Sequence, residues 1–211
     1  MSIVIAVDGP AASGKGTLAR RLAAELGYAY LDTGLLYRAV GVEILRVAAD
    51  PADEAIATDI AREVCISEMN FADPALRNET SGHVAAVVAT HANVRAALVG
   101  LQREFARNPP GSAPGAVLDG RDIGTIICPG ADYKFFVDAA IEVRAGRRAK
   151  ELREKGDPSI YSRVLHDMKE RDLRDRTRKI APLAPAADAS VIDTTNLSAD
   201  AAFALAMSLI K

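Results

Sequence analysis

The chain has 211 residues, 49% of them apolar and 5% aromatic with no Trp, which suits one α/β domain whose core is made of aliphatic side chains and Ala. A net charge of −2 gives no global attraction to nucleic acid or to an anionic membrane, and no apolar run approaches spanning length. Two distant cysteines, Cys65 and Cys128, form neither a disulfide framework nor a ligand pair, and with no signal peptide ahead of the first apolar run a cytoplasmic protein is expected.

Ile3-Val4-Ile5-Ala6-Val7-Asp8 is a continuous apolar run ending in an acid, the pattern of a strand buried on both faces of a parallel sheet. A Gly/Pro/Ser turn follows. Residues 15–26 carry helical periodicity, with Leu18, Leu22 and Leu26 four apart, and Gly27 closes the helix. Residues 28–31 form a second short strand. Gly34 opens a helix reaching about Ala49, which Asp50-Pro51 breaks. Residues 53–65 are expected to be helical, 66–82 a polar excursion, and 83–107 one long helix rich in Ala and Val. Pro and Gly make 108–115 a loop. Strands follow at 116–119 and 133–137. Charged helices occupy 141–155 and 158–178, divided by Gly156-Asp157-Pro158, before a last strand at 190–193 and a helix at 199–210. Short apolar strands alternating with helices imply an α/β fold, a doubly wound parallel five-stranded sheet with helices on both faces.

Gly9-Pro10-Ala11-Ala12-Ser13-Gly14-Lys15-Gly16-Thr17 lies between the first strand and the first helix, the context of a phosphate-binding P-loop. Its glycines let backbone N–H groups turn inward, and the helix N-terminus adds partial positive charge. Lys15 supplies a point charge for the β- and γ-phosphates of ATP. The plain alternative is a Gly-rich turn with a capping Ser. The common pattern has Ser or Thr directly after the Lys, where this chain has Gly16 and then Thr17. A largely hydrated Mg2+ bridging phosphate oxygens is therefore expected near Thr17, with Asp8 and Asp119 as candidates for orienting it. No Asn-Lys-x-Asp string for reading guanine is present.

Further strings follow in order: Asp32-Thr33-Gly34-Leu35-Leu36-Tyr37-Arg38, Val94-Arg95, Asp119-Gly120-Arg121-Asp122-Ile123-Gly124-Thr125, and Glu170 to Arg178 with Ala181-Pro182-Leu183. With the P-loop, they make the chain resemble the bacterial cytidylate kinases, P-loop nucleoside monophosphate kinases, through nearly its whole length. The resemblance implies γ-phosphoryl transfer from ATP to CMP and dCMP with Mg2+. It implies a small monophosphate-side insertion at about 66–82 and a mobile helical lid at about 144–165. It also implies that Thr33 contacts the substrate, that Arg38 and Arg121 hold its phosphate, and that Asp122 and Arg95 meet the base. Arg171, Asp175 and Arg178 would close on both nucleotides, with Lys15, Arg121, Arg171 and Arg178 as the catalytic cations. Arg144, Arg147 and Arg148 are further candidate phosphate ligands.

Each string also has a structural explanation: a helix cap at Asp32-Thr33, a local Arg–Asp pair in the 119–122 turn, and solvated ion pairs such as Glu170 with Arg174. Three features favour function. Arg38 sits early in its helix, where it opposes the macrodipole. The 119–122 string ends a strand at the edge where open α/β sheets bind ligands. Arg171, Asp175 and Arg178 are spaced to share one helical face. The chemistry suits cytosine, whose amine a carboxylate accepts and whose N3 and O2 a guanidinium meets, while uracil offers an acceptor in the amine's place. The family carries a Ser about nine residues before the Val-Arg pair. Ala86 stands there in this chain, so weaker discrimination of CMP over UMP is expected. The 66–82 excursion is also shorter than in longer members.

A nucleoside monophosphate is mostly ionised at neutral pH, with a second pKa of about 6, so no strong general base is required. Positioning and positive charge carry the reaction, and a closing lid keeps water out. Rival readings are a UMP- or AMP-preferring kinase and a non-catalytic nucleotide-binding regulator, which needs no second anion site. Nucleic-acid binding by 144–179 is disfavoured by its seven acids and by a pI near 6.0. A monomer is expected.

Overall fold

A computed structural model describes residues 2–154, 156 and 158–210. Five strands, β1 (Ile3–Asp8), β2 (Ala29–Asp32), β3 (Gly115–Gly120), β4 (Tyr133–Asp138) and β5 (Ser190–Asp193), form one parallel sheet in the order β2-β3-β1-β4-β5. Central β1 shows why its sequence is apolar throughout. Ile5 and Val7 face a core shared with α1 (Lys15–Leu26) and α8 (Ala199–Leu209), through Leu18, Leu22 and Ala202. Ala6 faces the opposite core, where Leu36, Ile44, Ala57, Val88 and Leu98 arrive from α2 (Gly34–Arg46), α3 (Glu54–Glu63), α4 (Glu79–Val88) and α5 (Ala92–Arg107). A strand covered on both sides has no polar face to alternate.

Two helices stand apart from these layers. α6 (Ile141–Glu154) and α7 (Tyr161–Thr177) share a small core of Ala145, Ala149, Leu152, Val164 and Met168, against which Ala11 and Ala12 of the P-loop pack. The expected divider falls between them, and its Asp157 lies outside the described residues. The expected 66–82 excursion contains two short 3-10 turns, Ile66–Glu68 and Pro74–Arg77, and then the start of α4.

Three expectations change. The long helix at 83–107 is two helices, bent by 104°. Thr90 donates its hydroxyl to the Val87 carbonyl at 2.7 Å, His91 turns extended, and Glu54 accepts from the Asn93 amide at 3.0 Å, capping α5 from another helix. The second helix ends at Arg46 rather than about Ala49, because Ala48 takes a left-handed φ of 53°. α7 stops at Thr177, so Arg178 is extended, just past the helix. Among the described residues no single helix is long and apolar enough to cross a membrane.

Candidate active site

Every strand carries an Asp at or next to its C-terminal end: Asp8, Asp32, Asp119, Asp138 and Asp193. This edge gathers cations. The P-loop leaves β1 through Gly9, where a Cβ would lie 2.0 Å from the Val137 carbonyl oxygen, so no larger residue fits. Gly14 takes a left-handed φ of 93° at the start of α1 and supplies no side-chain cap, leaving the first helical amides open to an anion. The buried Ser13 hydroxyl oxygen has no hydrogen-bond partner.

Lys15, in the first turn of α1, lies 3.1 Å from the Asp119 carboxylate. Burial pushes the lysine pKa down, and Asp119 pushes it back up. Tyr30 donates its hydroxyl to the other Asp119 oxygen at 3.2 Å. A Cβ on Gly16 would fall 2.8 Å from that same oxygen. A Ser or Thr here, as in the common P-loop, would have to move the Asp119 carboxylate aside. Thr17 is exposed beside it. A cleft of about 500 Å³ opens alongside, lined by Gly14, Lys15, Thr17, Arg147, Thr194 and Ser198. Thr194 fastens its floor by donating to the Ser13 carbonyl at 2.7 Å.

A second cavity, of about 90 Å³, brings together Thr33, Arg38, Arg95, Arg121, Asp122, Arg171, Asp175 and Arg178, with Tyr37 and Ala86. These are all the residues assigned from the sequence to an acceptor. Asp122 receives Arg95 on one oxygen and lies 3.5 Å from Arg178 on the other. Burial raises its pKa, and Arg95 and then Arg178 pull it back down. Arg95 stands 5.7 Å from the Tyr37 ring, a cation–π contact that holds the guanidinium in place. Arg121 reaches Asp175 at 3.4 Å, so β3 and α7 meet across the cavity. Thr33 donates its hydroxyl to the Asp119 carbonyl at 2.8 Å, and Asp32 caps α2 by accepting from the Gly34 amide. Arg38 donates to the Leu76 and Asn78 carbonyls at 3.1 and 2.8 Å. Burial and then the neighbouring Arg121 push the Arg171 pKa down to about 10, and its Nε has no partner. Clustered guanidinium groups with few counter-charges are an anion site.

Several assigned residues serve the protein itself. Arg178 reaches the cavity from beyond α7, where Ala181 at a φ of 50° and the Leu183 amide bonded to the Asp175 carbonyl turn the chain back. Arg144 is buried and held by Asp172 at 2.5 Å, with the Ala139 and Ala11 carbonyls. Arg147 donates to Thr194, and Arg148 pairs with Glu151 and with Glu79 of α4. Glu170 lies 3.5 Å from His166, its pair on α7. Asp8 gives both oxygens to backbone amides of residues 123 and 124, one amide to each. Among the described residues no cluster of three or more His, Cys, Asp or Glu is placed to hold a metal ion. Sequence reasoning missed Tyr30, Thr194 and Glu79, for which spacing gave no signal. It quoted Tyr37 in a motif without a role.

The family model for cytidylate kinase matches residues 5–211. The chain belongs to the cytidylate kinase family. A cytidylate kinase from Paramagnetospirillum magneticum is 57% identical over 210 residues, covering 100% of this chain and 98% of the relative. One from Rhodospirillum rubrum is 53% identical, covering 99% and 97%, and one from Methylocella silvestris is 52% identical, covering 99% and 94%. Among solved structures, an uncharacterized protein from Eubacterium ventriosum (TM-score 0.57, 16% identity, 99% and 98% covered) shares the fold. So does a sugar kinase from Janibacter (TM-score 0.52, 12% identity, 99% and 94% covered).

Proposed function

We propose that this chain transfers the γ-phosphoryl group of ATP to CMP, and to dCMP, giving ADP and the corresponding diphosphate. The observation that carries this reading is the cavity in which Asp122 sits between Arg95 and Arg178, with Arg121 of the same cavity near enough to Lys15 of the P-loop to lower its pKa. ATP occupies the larger cleft, with its phosphates on the P-loop amides and Lys15. CMP occupies the smaller cavity. Arg38, Arg121 and Arg171 meet its phosphate, Asp122 accepts from the cytosine amine, Arg95 donates to the ring acceptors, and Asp175 accepts from the sugar.

Asp119 and Thr17 offer hard oxygen donors beside Lys15, a set that fits Mg2+. Bound there, the ion would neutralise charge on the phosphates. The protein's own residues do the rest. Lys15 leaves Asp119 for the incoming phosphates. The guanidinium groups draw two anions together, offset the charge that builds on the transferring group, and hold the acceptor oxygen in line. Arg suits this because its fork grips phosphate at two points. α6 and α7, packed on Ala11 and Ala12, cover the reacting groups and exclude water.

The test is ADP release from ATP and Mg2+ with CMP, dCMP, UMP, AMP or no acceptor. CMP and dCMP should stimulate release strongly, UMP weakly, and AMP not at all. A preference for AMP, or no stimulation by any acceptor, overturns the assignment.

A further inference from the structure

Asp122 stands at the N-cap position of the short π-helical turn Ile123–Ile127, where an Asp ordinarily accepts from the first free amides. Its side chain makes no such bond. One carboxylate oxygen meets Arg95 and the other lies toward Arg178. The amides it neglects still have an acceptor. Asp8, from the end of β1, takes the Ile123 N–H on Oδ1 and the Gly124 N–H on Oδ2, each at 2.8 Å. Asp8 is buried, and its strand pairs with β3 at Gly120, two residues before Asp122.

We propose that Asp8 is a positioning residue for the acceptor cavity: it caps the 123–127 turn from a different strand, and so frees the Asp122 carboxylate for the base. This inference rests on Asp122 reading the acceptor, as argued above. The turn has little slack. A Cβ on Gly124 would lie 3.5 Å from Asp8 and 3.2 Å from the Lys134 side chain, whose ammonium is held by Asp188 at 2.7 Å. The turn is therefore seated between a carboxylate and a fixed lysine stem. With Asn at position 8, one of the two amides would face another N–H donor. Asp122 is then the nearest carboxylate able to relieve it, and doing so takes it from Arg95 and from the base.

The experiment is a double-mutant cycle with Asp8→Asn and Asp122→Asn, read as the KM for CMP, the CMP-to-UMP ratio of kcat/KM, and the Kd for ATP. Asp8→Asn alone should raise the CMP KM about tenfold and erode the ratio, while the ATP Kd moves less than about threefold. In the Asp122→Asn background, Asp8→Asn should change the CMP KM by less than about threefold, because the two residues act on one contact. An unchanged CMP KM, an equal loss toward ATP and CMP, or the full effect in the Asp122→Asn background overturns the proposal. If Asp122→Asn itself keeps the CMP preference, the assignment of Asp122 fails first. If Asp8→Asn does not fold, amide exchange on the wild-type protein decides. A turn capped by Asp8 keeps the residue 123 and 124 amides equally protected with and without CMP. A turn capped by Asp122 loses that protection when CMP binds.

Discussion

At Gly16 a missing side chain makes room for the carboxylate that faces Lys15, since a Cβ would stand 2.8 Å from Asp119. Gly16→Ser restores the common P-loop residue, yet it should damage the enzyme. The serine must displace Asp119 or shift the loop, and a displacement of about 1 Å costs on the order of 10²-fold in rate. Steady-state kcat/KM for ATP checks this, and a gain would mean the hydroxyl was merely lacking. Asp8 makes a second residue-scale prediction. Burial raises its pKa from 3.8 to about 6, against the two amides that lower it. The folded state thus favours the protonated form, so this contribution to stability is complete below pH 3.8 and is lost as pH rises through about 6. A shift of that size corresponds to about 3 kcal/mol. Thermal melts of the empty protein across pH 4 to 7 should show a decline that flattens in Asp8→Asn; parallel curves would contradict it. The role of Asp8 was invisible in the sequence because its partners lie 115 and 116 residues away and are backbone amides, which carry no residue signature. Lys15 was assigned from the P-loop spacing between strand and helix, whereas Arg121 and Asp122 were assigned from the resemblance to the cytidylate kinases that the ordered strings carry.

The break between α4 and α5 decides how the acceptor cavity is built. Apolar periodicity runs through 83–107 without a Pro or a central Gly-Pro pair, so one helix was the natural reading. The break comes from polar groups at a distance, the Glu54 carboxylate on the Asn93 amide and the Pro51 carbonyl on His91 at 2.9 Å. It starts α5 afresh, with Arg95 in its first turn toward Asp122. α4 then contributes a wall of Gly82, Ala85 and Ala86, continued by Ala89 just past its end. Ala86→Ser places a hydroxyl on that wall. One added hydrogen bond contributes about 1 kcal/mol, so the CMP-to-UMP ratio of kcat/KM should rise about fivefold. An unchanged ratio would show that the wall does not touch the base. The strands, by contrast, were read to within a residue or two, because burial on both faces leaves an unbroken apolar run in central β1 and turns bound the shorter runs elsewhere.

Across the whole molecule, the sheet presents its strand-end carboxylates along one edge, and the arginines of α2, α5, α6 and α7 converge on it. Composition could not show this, since the net charge is only −2 and Arg38, Arg95, Arg121 and Arg171 lie far apart in the chain. Folding separates them into a P-loop cleft and an arginine-lined cavity bridged by Lys15, Asp119 and Arg121. On the proposed reading a phosphoryl group passes from one to the other, while α6 and α7, packed on Ala11 and Ala12 of the P-loop, keep water from taking it. Phosphorus NMR of the protein with ATP, Mg2+ and CMP tests this directly. CDP and ADP should grow in equal amounts with no inorganic phosphate, and inorganic phosphate growing in place of CDP would contradict it.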